Sequence, residues 1–482
     1  MVENRKDQSV LGNQLVPLHS AKAASISTQW TPNNKSSLNI DFTFRDLQID
    51  NTILADDLNI NAKKSYLGQI DYTIKAIDGF IKSTTSYNIG SGQQAKIEYD
   101  YQEVLPGEGN YDWIDINSDN IQQTGEFIIS EFQDTSRWIQ VPLYNNEFVQ
   151  TNNAGVNQSL KLDPKLLYIG RKKKRKEKVI EIKKQRLLRK EQMALLDSND
   201  LEFKRLEKIE LVSKIQETIL TKPYKPNRFE KVISRFSTIS TYRINKKVET
   251  DNSDYNPLNF STQDSTILSY TSFINNTLFF NRGNPAFDFQ IGNRKNEARL
   301  LQIAGIDRRS LTEYFSRIRI SLNKKIDFIV NLKNGSRIGE SPFQGRDDFE
   351  IKNRSYNPEI NYQPLSNLRF ISKYEWKKKN EIFSDVTALS QNFTLESSFR
   401  KSSSFSWDTG MSFIKVSYDG DENSIIGFEI LEGLKKGNNY LWNTAFTKRL
   451  QNNVDFILNY EGRKTGNNRV IHTARAQVKA TF

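Results

Sequence analysis

Apolar and polar residues alternate with a period of two along most of this chain, most cleanly at the C-terminal end. From Arg469 onward, Val470, His472, Ala474, Ala476, Val478, Ala480 and Phe482 fall on one face of an extended strand. Ile471, Thr473, Arg475, Gln477, Lys479 and Thr481 fall on the other. A strand with one apolar and one charged face, ending on a terminal aromatic, is how bacterial outer-membrane barrels finish. Val470, Val478, Ala480 and Phe482 are therefore expected to mark a barrel-closing strand.

Residues 232–482 continue the pattern, with strand-like segments of about 10–14 residues, the length that crosses a bilayer at a tilt. Examples are Phe315–Lys324, Ile326–Lys333, Leu368–Lys377, Gln391–Arg400, Phe405–Tyr418, Tyr440–Leu450 and Val454–Lys464. A soluble sandwich more often uses strands of about 5–6 residues. Tyr440, Trp442 and Tyr460 sit near strand ends, where interfacial belts place aromatics. Longer connections near 246–262, 292–311, 335–350 and 419–424 suit an extracellular side, and Gln451-Asn-Asn453 is a compact turn.

Strand patterns also fill residues 16–105 and 136–165, for instance Leu38, Ile40, Phe42 and Phe44 against Asn39, Asp41, Thr43 and Arg45. Residues 106–135 break the rhythm with a Gly- and Asp-rich stretch. Residues 166–231 differ in kind. Arg171 to Lys178 holds seven basic residues in eight, and Leu and Ile recur beyond it at helical spacing, with a break at Asp197-Ser-Asn-Asp200. This is a basic helical insertion, a solvated one or one that meets phosphate-bearing headgroups. The prediction is an all-β chain: an antiparallel transmembrane β-barrel of about 12 or more strands, with a β-rich N-terminal part and one helical insertion.

Composition agrees with barrel strands more than it first seems to. Mean hydropathy is −0.65, and no run of about 18 apolar residues is present, so no transmembrane helix is expected. Barrel strands escape hydropathy detection because every second residue can be polar. Cysteine is absent, which removes thiolate metal sites and thiol nucleophiles. Only His19 and His472 are present, so hydrolytic triads and His-rich metal centres are poorly supported, and we expect no enzyme. Residues 1–15 are polar, lack the apolar core of a signal peptide, and are expected to be disordered. Export to an outer membrane needs such a signal, so the chain is expected to be part of a longer precursor.

Several blocks resemble the C-terminal portion of large, uncharacterised outer-membrane β-barrel proteins of Bacteroidota. They are Tyr460-Glu-Gly-Arg-Lys-Thr-Gly466, Val470-Ile-His-Thr-Ala-Arg-Ala-Gln-Val478, Gly433-Leu-Lys-Lys-Gly-Asn-Asn-Tyr-Leu-Trp-Asn443, Gly90-Ser-Gly-Gln-Gln-Ala-Lys96, Gly107-Glu-Gly-Asn-Tyr-Asp-Trp113 and Asp115-Ile-Asn-Ser-Asp119. The resemblance covers most of the chain outside the helical insertion. It implies an outer-membrane location, a missing upstream region, and no particular activity.

The sharpest candidate for chemistry is Asp115-Ile-Asn-Ser-Asp-Asn-Ile-Gln-Gln-Thr-Gly-Glu126. Against a twelve-residue calcium loop, Asp115, Asn117 and Asp119 take the first three ligand positions. Ile121 offers its carbonyl, Gln123 a water-mediated contact and Glu126 a bidentate carboxylate. Asn120 stands where such loops carry Gly, and nothing before the loop is helical. An Asx-rich turn without metal reads the same residues equally well. The expected cofactor is thus a structural Ca2+. Gly90-Ser-Gly-Gln-Gln-Ala95 fits a dinucleotide fingerprint only in letter, since a strand follows it instead of a helix.

Basic residues recur on the lumen-facing side of the strands, among them Arg319, Lys333, Arg449, Arg463, Arg475 and Lys479, and the net charge is +12. They either favour anionic solutes or pair with carboxylates on neighbouring strands. The functional expectation is a channel, export or envelope-assembly barrel. Its partners would be outer-membrane lipid and lipopolysaccharide, and barrel-assembly machinery engaging the C-terminal strand. Nucleic acid is not expected, because stacking aromatics are missing around residues 171–178. The alternative is a soluble or surface-attached, calcium-stabilised β-sandwich adhesin, in which the apolar strand faces pack within the chain.

Overall fold

A computed structural model describes the chain apart from residues 12–13, 51–62, 116–118, 124–125, 131, 133–135, 194, 196–200, 223–225, 250–255, 263–266, 303–304, 342–347, 402–403, 451–453 and 481–482. The protein is all-β, built as one large antiparallel sheet with a helical insertion. The first arm holds β1 (Val2–Leu11), β2 (Gln14–Asn33), β3 (Ser36–Ile49), β4 (Lys63–Ala76), β5 (Ile81–Glu103) and β8 (Trp138–Leu162). Two short strands, β6 (Tyr111–Trp113) and β7 (Phe127–Ile129), lie in the loop between β5 and β8. Next come β9 (Phe236–Glu249), β10 (Ile267–Phe280), β11 (Phe287–Gln302), β12 (Gly305–Ser321), β13 (Ile326–Glu340) and β14 (Phe349–Leu365). The second arm ends with β15 (Leu368–Glu381), β16 (Thr387–Lys401), β17 (Phe405–Tyr418), β18 (Gly437–Leu450), β19 (Val454–Thr465) and β20 (Ile471–Ala480).

Apart from β6 and β7, each strand pairs with its neighbours in an up-and-down meander, β5 joining β8 directly. Among the described residues β1 pairs only with β2 and β20 only with β19. Residues 2–11, expected to be disordered, instead form β1, whose ladder with β2 starts at Val2↔Ala24. Both of its faces are polar, so no amphipathic pattern marks it. Of residues 292–311, expected to be a long loop, 292–302 lie within β11 and 305–311 within β12. There both faces carry charges, Lys295, Glu297 and Arg299 on one and Arg294 and Glu313 on the other, and the alternation disappears although the ladder continues through Glu297↔Ser310.

The register sorts side chains into two faces. One carries Leu332, Tyr356 and Trp376 in a cross-strand row, and Tyr374, Phe393, Phe413 and Tyr440 in another. These apolar side chains are largely solvent-accessible, and no second sheet covers them among the described residues. A soluble sandwich would need that cover. The other face carries Arg319, Glu313, Asn331, Lys333 and Lys373, and is polar.

The meander also separates two ends. At one, β10–β11, β12–β13, β14–β15, β16–β17 and β18–β19 join through short turns. At the other lie the longer connections 104–137, 250–266, 341–348 and 419–436. The helical insertion connects β8 to β9 and therefore leaves from the short-turn end. It comprises α1 (Lys165–Met193), α2 (Leu201–Thr221) and α3 (Arg228–Ile233). A further helix, α4 (Ile425–Leu431), lies between β17 and β18 at the other end.

Candidate functional site

The apolar outer face forms a belt with an aromatic rim at each edge. At the short-turn edge Phe236 meets Phe280 at 5.0 Å, and Phe405 meets Phe446 at 5.2 Å and Phe399 at 5.7 Å. At the opposite edge Phe413 meets Tyr440 at 5.3 Å, and His472 stands between Trp442 and Tyr460. His472 Nδ1 lies 2.9 Å from the Tyr460 hydroxyl, which also accepts from Trp442 Nε1 at 3.3 Å. Beyond this rim the outer face turns charged, with Glu297, Arg299, Arg308 and Glu340. Arg308 bonds Glu340 at 2.7 Å, and Arg299 bonds Glu297 at 2.8 Å. An apolar band between aromatic rims is the surface a bilayer requires.

Val478 and Ala480 lie on this outer face of β20, since their partners are Phe456 and Val454. Val470 precedes the strand, and Phe482 lies outside the described residues. Val470 is 44% and Val478 67% exposed, and among the described residues β20 has a neighbour on one side only.

The polar face gathers the basic residues singled out in the sequence, and most find partners. Arg319 donates to Asp288 at 2.5 Å and to the Asn284 carbonyl at 2.6 Å. Lys333 pairs with Glu313 at 3.3 Å, Arg449 with Asp455 at 3.0 Å, and Lys373 with Glu396 at 2.7 Å. Arg463 lies over the Phe132 ring. Arg475 and Lys479 are exposed on the inner face of β20, opposite Asn459 and Asp455. Pairing with neighbouring carboxylates thus accounts for much of the basic inner face, and a cavity of about 250 Å³ remains near Arg369, Glu396, Asp408 and Asn443.

Sequence patterning did not reveal α4. Ser424 caps it by accepting from Gly427 N–H at 3.0 Å, and the chain leaves through Glu432 in a left-handed conformation. The helix buries Ile430 and Leu431 against Phe349, Ile351, Ala388, Ile414 and Val416 on the inner face of β14, β16 and β17. Two acidic residues fix it there. Glu429 pairs with Arg337 at 3.0 Å and Arg309 at 3.7 Å. Glu432 pairs with Lys379 at 2.8 Å and Lys377 at 3.0 Å, and Lys379 also donates to the Ile430 carbonyl at 2.6 Å. Burial works to raise the Glu432 pKa, but the two lysines outweigh it and hold the carboxyl at about 2. A long-loop helix is thereby folded onto the polar face of the sheet. The one sequence signal for it was a Ser followed by an apolar run.

The Asp-rich loop sits at the same end. β6 and β7 pair through Tyr111↔Ile129 and Trp113↔Phe127, so that strands frame the loop among the described residues. Phe127 stacks on Tyr101 at 4.1 Å and meets Trp138 edge-on at 5.1 Å. Asp115, Asp119 and Glu126 each place a carboxylate oxygen within 4.8 Å of the others. Asp115 accepts from Asn120 N–H at 2.9 Å and Asp119 N–H at 3.2 Å. Asp119 accepts from Ile121 N–H at 2.7 Å and from the Gln123 amide at 2.8 Å. Glu126, 3% exposed, accepts from the Trp113 indole at 2.8 Å and Gln123 N–H at 3.2 Å. Asn120 adopts φ +56° in the position where calcium loops carry Gly. Asn117 lies outside the described residues. Three expected ligands come together, while Gln123 and Ile121 serve the carboxylates as donors. The set suits a divalent cation, and the Asx turns also hold it together by hydrogen bonds alone.

No family model matches the chain, and no curated protein matches it. Among solved structures, the copper transporter OprC is 7% identical with a TM-score of 0.40, the match covering 99% of this chain and 66% of that one. A mutant of the ferric enterobactin receptor PfeA from Pseudomonas aeruginosa is 7% identical at a TM-score of 0.40, covering 95% and 62%. The FrpB iron transporter from Neisseria meningitidis is 8% identical at 0.37, covering 96% and 63%. The chain thus spans less than two thirds of the length of these structures. Identities and scores this low assign neither a family nor an activity.

Proposed function

We propose that this chain is a non-enzymatic outer-membrane β-barrel component of a Gram-negative envelope that serves passage or export of solutes or assembly of the envelope. The observation that carries this reading is the apolar belt between two aromatic rims, backed by a polar inner face. Outer-membrane fractionation with heat-modifiable gel migration tests it, and recovery of a soluble, heat-insensitive chain overturns it.

Finer readings belong to the same proposal. The unpartnered edges of β1 and β20 support reading the chain as the C-terminal portion of a longer barrel of the Bacteroidota kind, whose further strands would pair with both. Barrel-assembly machinery would engage β20 first, and lipopolysaccharide would meet the charged outer surface above the belt. The Asp115–Glu126 loop would hold a structural Ca2+ that stiffens the long loop.

A further inference from the structure

The helical insertion leaves the wall beside the short-turn edge of the apolar belt, next to Phe236 and Phe280. α1 holds thirteen Lys and Arg against three Glu, a net +10, in a chain whose whole net charge is +12. Its root is fixed to the rim. Lys174 pairs with Asp78 in the β4–β5 turn at 2.6 Å, Arg171 pairs with Glu230, and Gly170 lets the helix approach Asp78 where a Cβ would come within 2.7 Å.

One face of α1 is occupied by α2. Arg186 bonds Glu210 at 2.7 Å and also Glu217, Arg189 bonds Ser213 at 2.7 Å, and Arg175 bonds the Ile219 carbonyl at 2.8 Å. At 100° per residue the opposite face brings Ile169, Ile180 and Leu187 into one line, with Lys173, Lys176 and Lys184 between and beside them. Ile180 is 67% and Leu187 63% exposed. A hairpin meant only for water has no use for that apolar line, and a surface meant only for a polyanion has no use for it either. Isoleucine and leucine flanked by lysine is the composition of a helix that lies in a membrane interface.

The geometry points to a second membrane contact: the outward face of α1 docks on the anionic phospholipid leaflet that meets the short-turn end of the barrel. This rests on the barrel reading above, because that reading puts a leaflet at the hairpin's root. The apolar line would enter the headgroup region while the lysines meet lipid phosphates.

The absence of cysteine allows a test on the full chain. Ile180→Cys carries an environment-sensitive bimane, and the protein is reconstituted in phosphatidylcholine bilayers with or without phosphatidylglycerol, with bromine-labelled acyl chains as quenchers. A blue shift and quenching are expected on the anionic bilayer only, reversed by high salt. Each lysine near such a surface contributes about a fivefold gain in occupancy, so K173Q/K176Q/K184Q, which removes three of them, should lower it on the order of a hundredfold. Barrel insertion is followed separately by heat-modifiable migration. If the barrel inserts and the label stays in water on both bilayers, the proposal is overturned while the barrel reading stands; a docking site for an acidic protein would give that result. Equal quenching with and without phosphatidylglycerol overturns the anionic selectivity. Failure of insertion removes the barrel reading and the proposal with it.

Discussion

The guanidinium of Arg463 on β19 lies 4.0 Å from the ring centroid of Phe132, in the loop between β5 and β8. These two residues belong to opposite arms of the meander, and Arg463 sits on its inner face opposite Ile471. The contact therefore spans the interior, and it requires the sheet to curl until its two arms face each other. A cation over an aromatic face contributes about 0.5–2 kcal/mol, depending on desolvation. Phe132→Ala should release the loop by about that amount, seen as faster protease cleavage within residues 104–137 without loss of the folded wall. Lys464→Ala, on the outer face of the same strand, should leave cleavage unchanged.

Glu432 makes the docking of α4 depend on acid. Its ordinary pKa of 4.5 is lowered to about 2 in the fold by Lys379 and Lys377 against the effect of burial. A depressed carboxyl contributes stability that is complete above its unfolded value and is lost as pH falls through the folded one. The α4 clamp should thus be intact above about pH 5 and weaken progressively toward pH 2, read by hydrogen exchange of residues 425–431. Glu432→Gln should loosen α4 already at neutral pH. Lys379, with a side chain 8% exposed, would lose the carboxylate that faces it. Losing a buried partner costs about 3–5 kcal/mol; because the Glu432 side chain is itself 40% exposed, we expect about 1–3 kcal/mol after solvent screening. Unchanged exchange at pH 2 would remove this account.

The wall was legible in the sequence wherever one face is apolar and the other polar. Phe405–Tyr418 appears in the structure with the same bounds, and Val454–Lys464 is one residue short of β19. The final alternation and the register agree that Val478 and Lys479 lie on opposite faces. The pattern failed where the wall rises beyond the belt. In β11 and β12 the outer residues Glu297, Arg299 and Arg308 are as polar as the inner ones, so a period of two carries no hydropathy signal. It failed again for α4, whose short apolar run Ile425–Leu431 has the length of a strand. Its identity comes from the Ser424 cap and from burial on a surface formed by distant strands. The convergence of Asp115, Asp119 and Glu126 followed from spacing alone. The Trp113 indole on Glu126 is a tertiary contact that no spacing rule contains.

That indole separates a folding role of Glu126 from a metal role of Asp115. Glu126→Ala leaves the Trp113 N–H without its carboxylate, a loss of about 1–3 kcal/mol, and should destabilise the β6–β7 hairpin with or without calcium. Asp115→Asn keeps an oxygen acceptor for the Asn120 N–H and should fold, yet remove a charged ligand from the proposed cation site. Calorimetric titration of the full chain with calcium should show heat for the parent and little for Asp115→Asn. No heat from the parent at millimolar calcium would sink the metal and leave the Asx turns as the whole explanation of the loop.

The two faces of β13 offer the most direct test of the membrane reading. Val330 lies mid-belt on the outer face, between Phe328 and Leu332 and opposite Ile318 and Pro358. Its neighbour Asn331 points inward, opposite Arg317 and Asn357. An arginine on the lipid face at the bilayer midplane costs about 2–4 kcal/mol, whereas the inner face is already polar and wet. Val330→Arg should therefore lower the urea midpoint of the lipid-embedded protein and weaken its heat-modifiable migration, and Asn331→Arg should change stability by less than about 1 kcal/mol. In a soluble fold with water on both faces the difference would vanish, since an exposed arginine is tolerated on either side. Equal behaviour of the two variants in lipid would thus remove the membrane from the account, and a gap of the expected size between adjacent residues is what a hydrocarbon phase against one face of the sheet predicts.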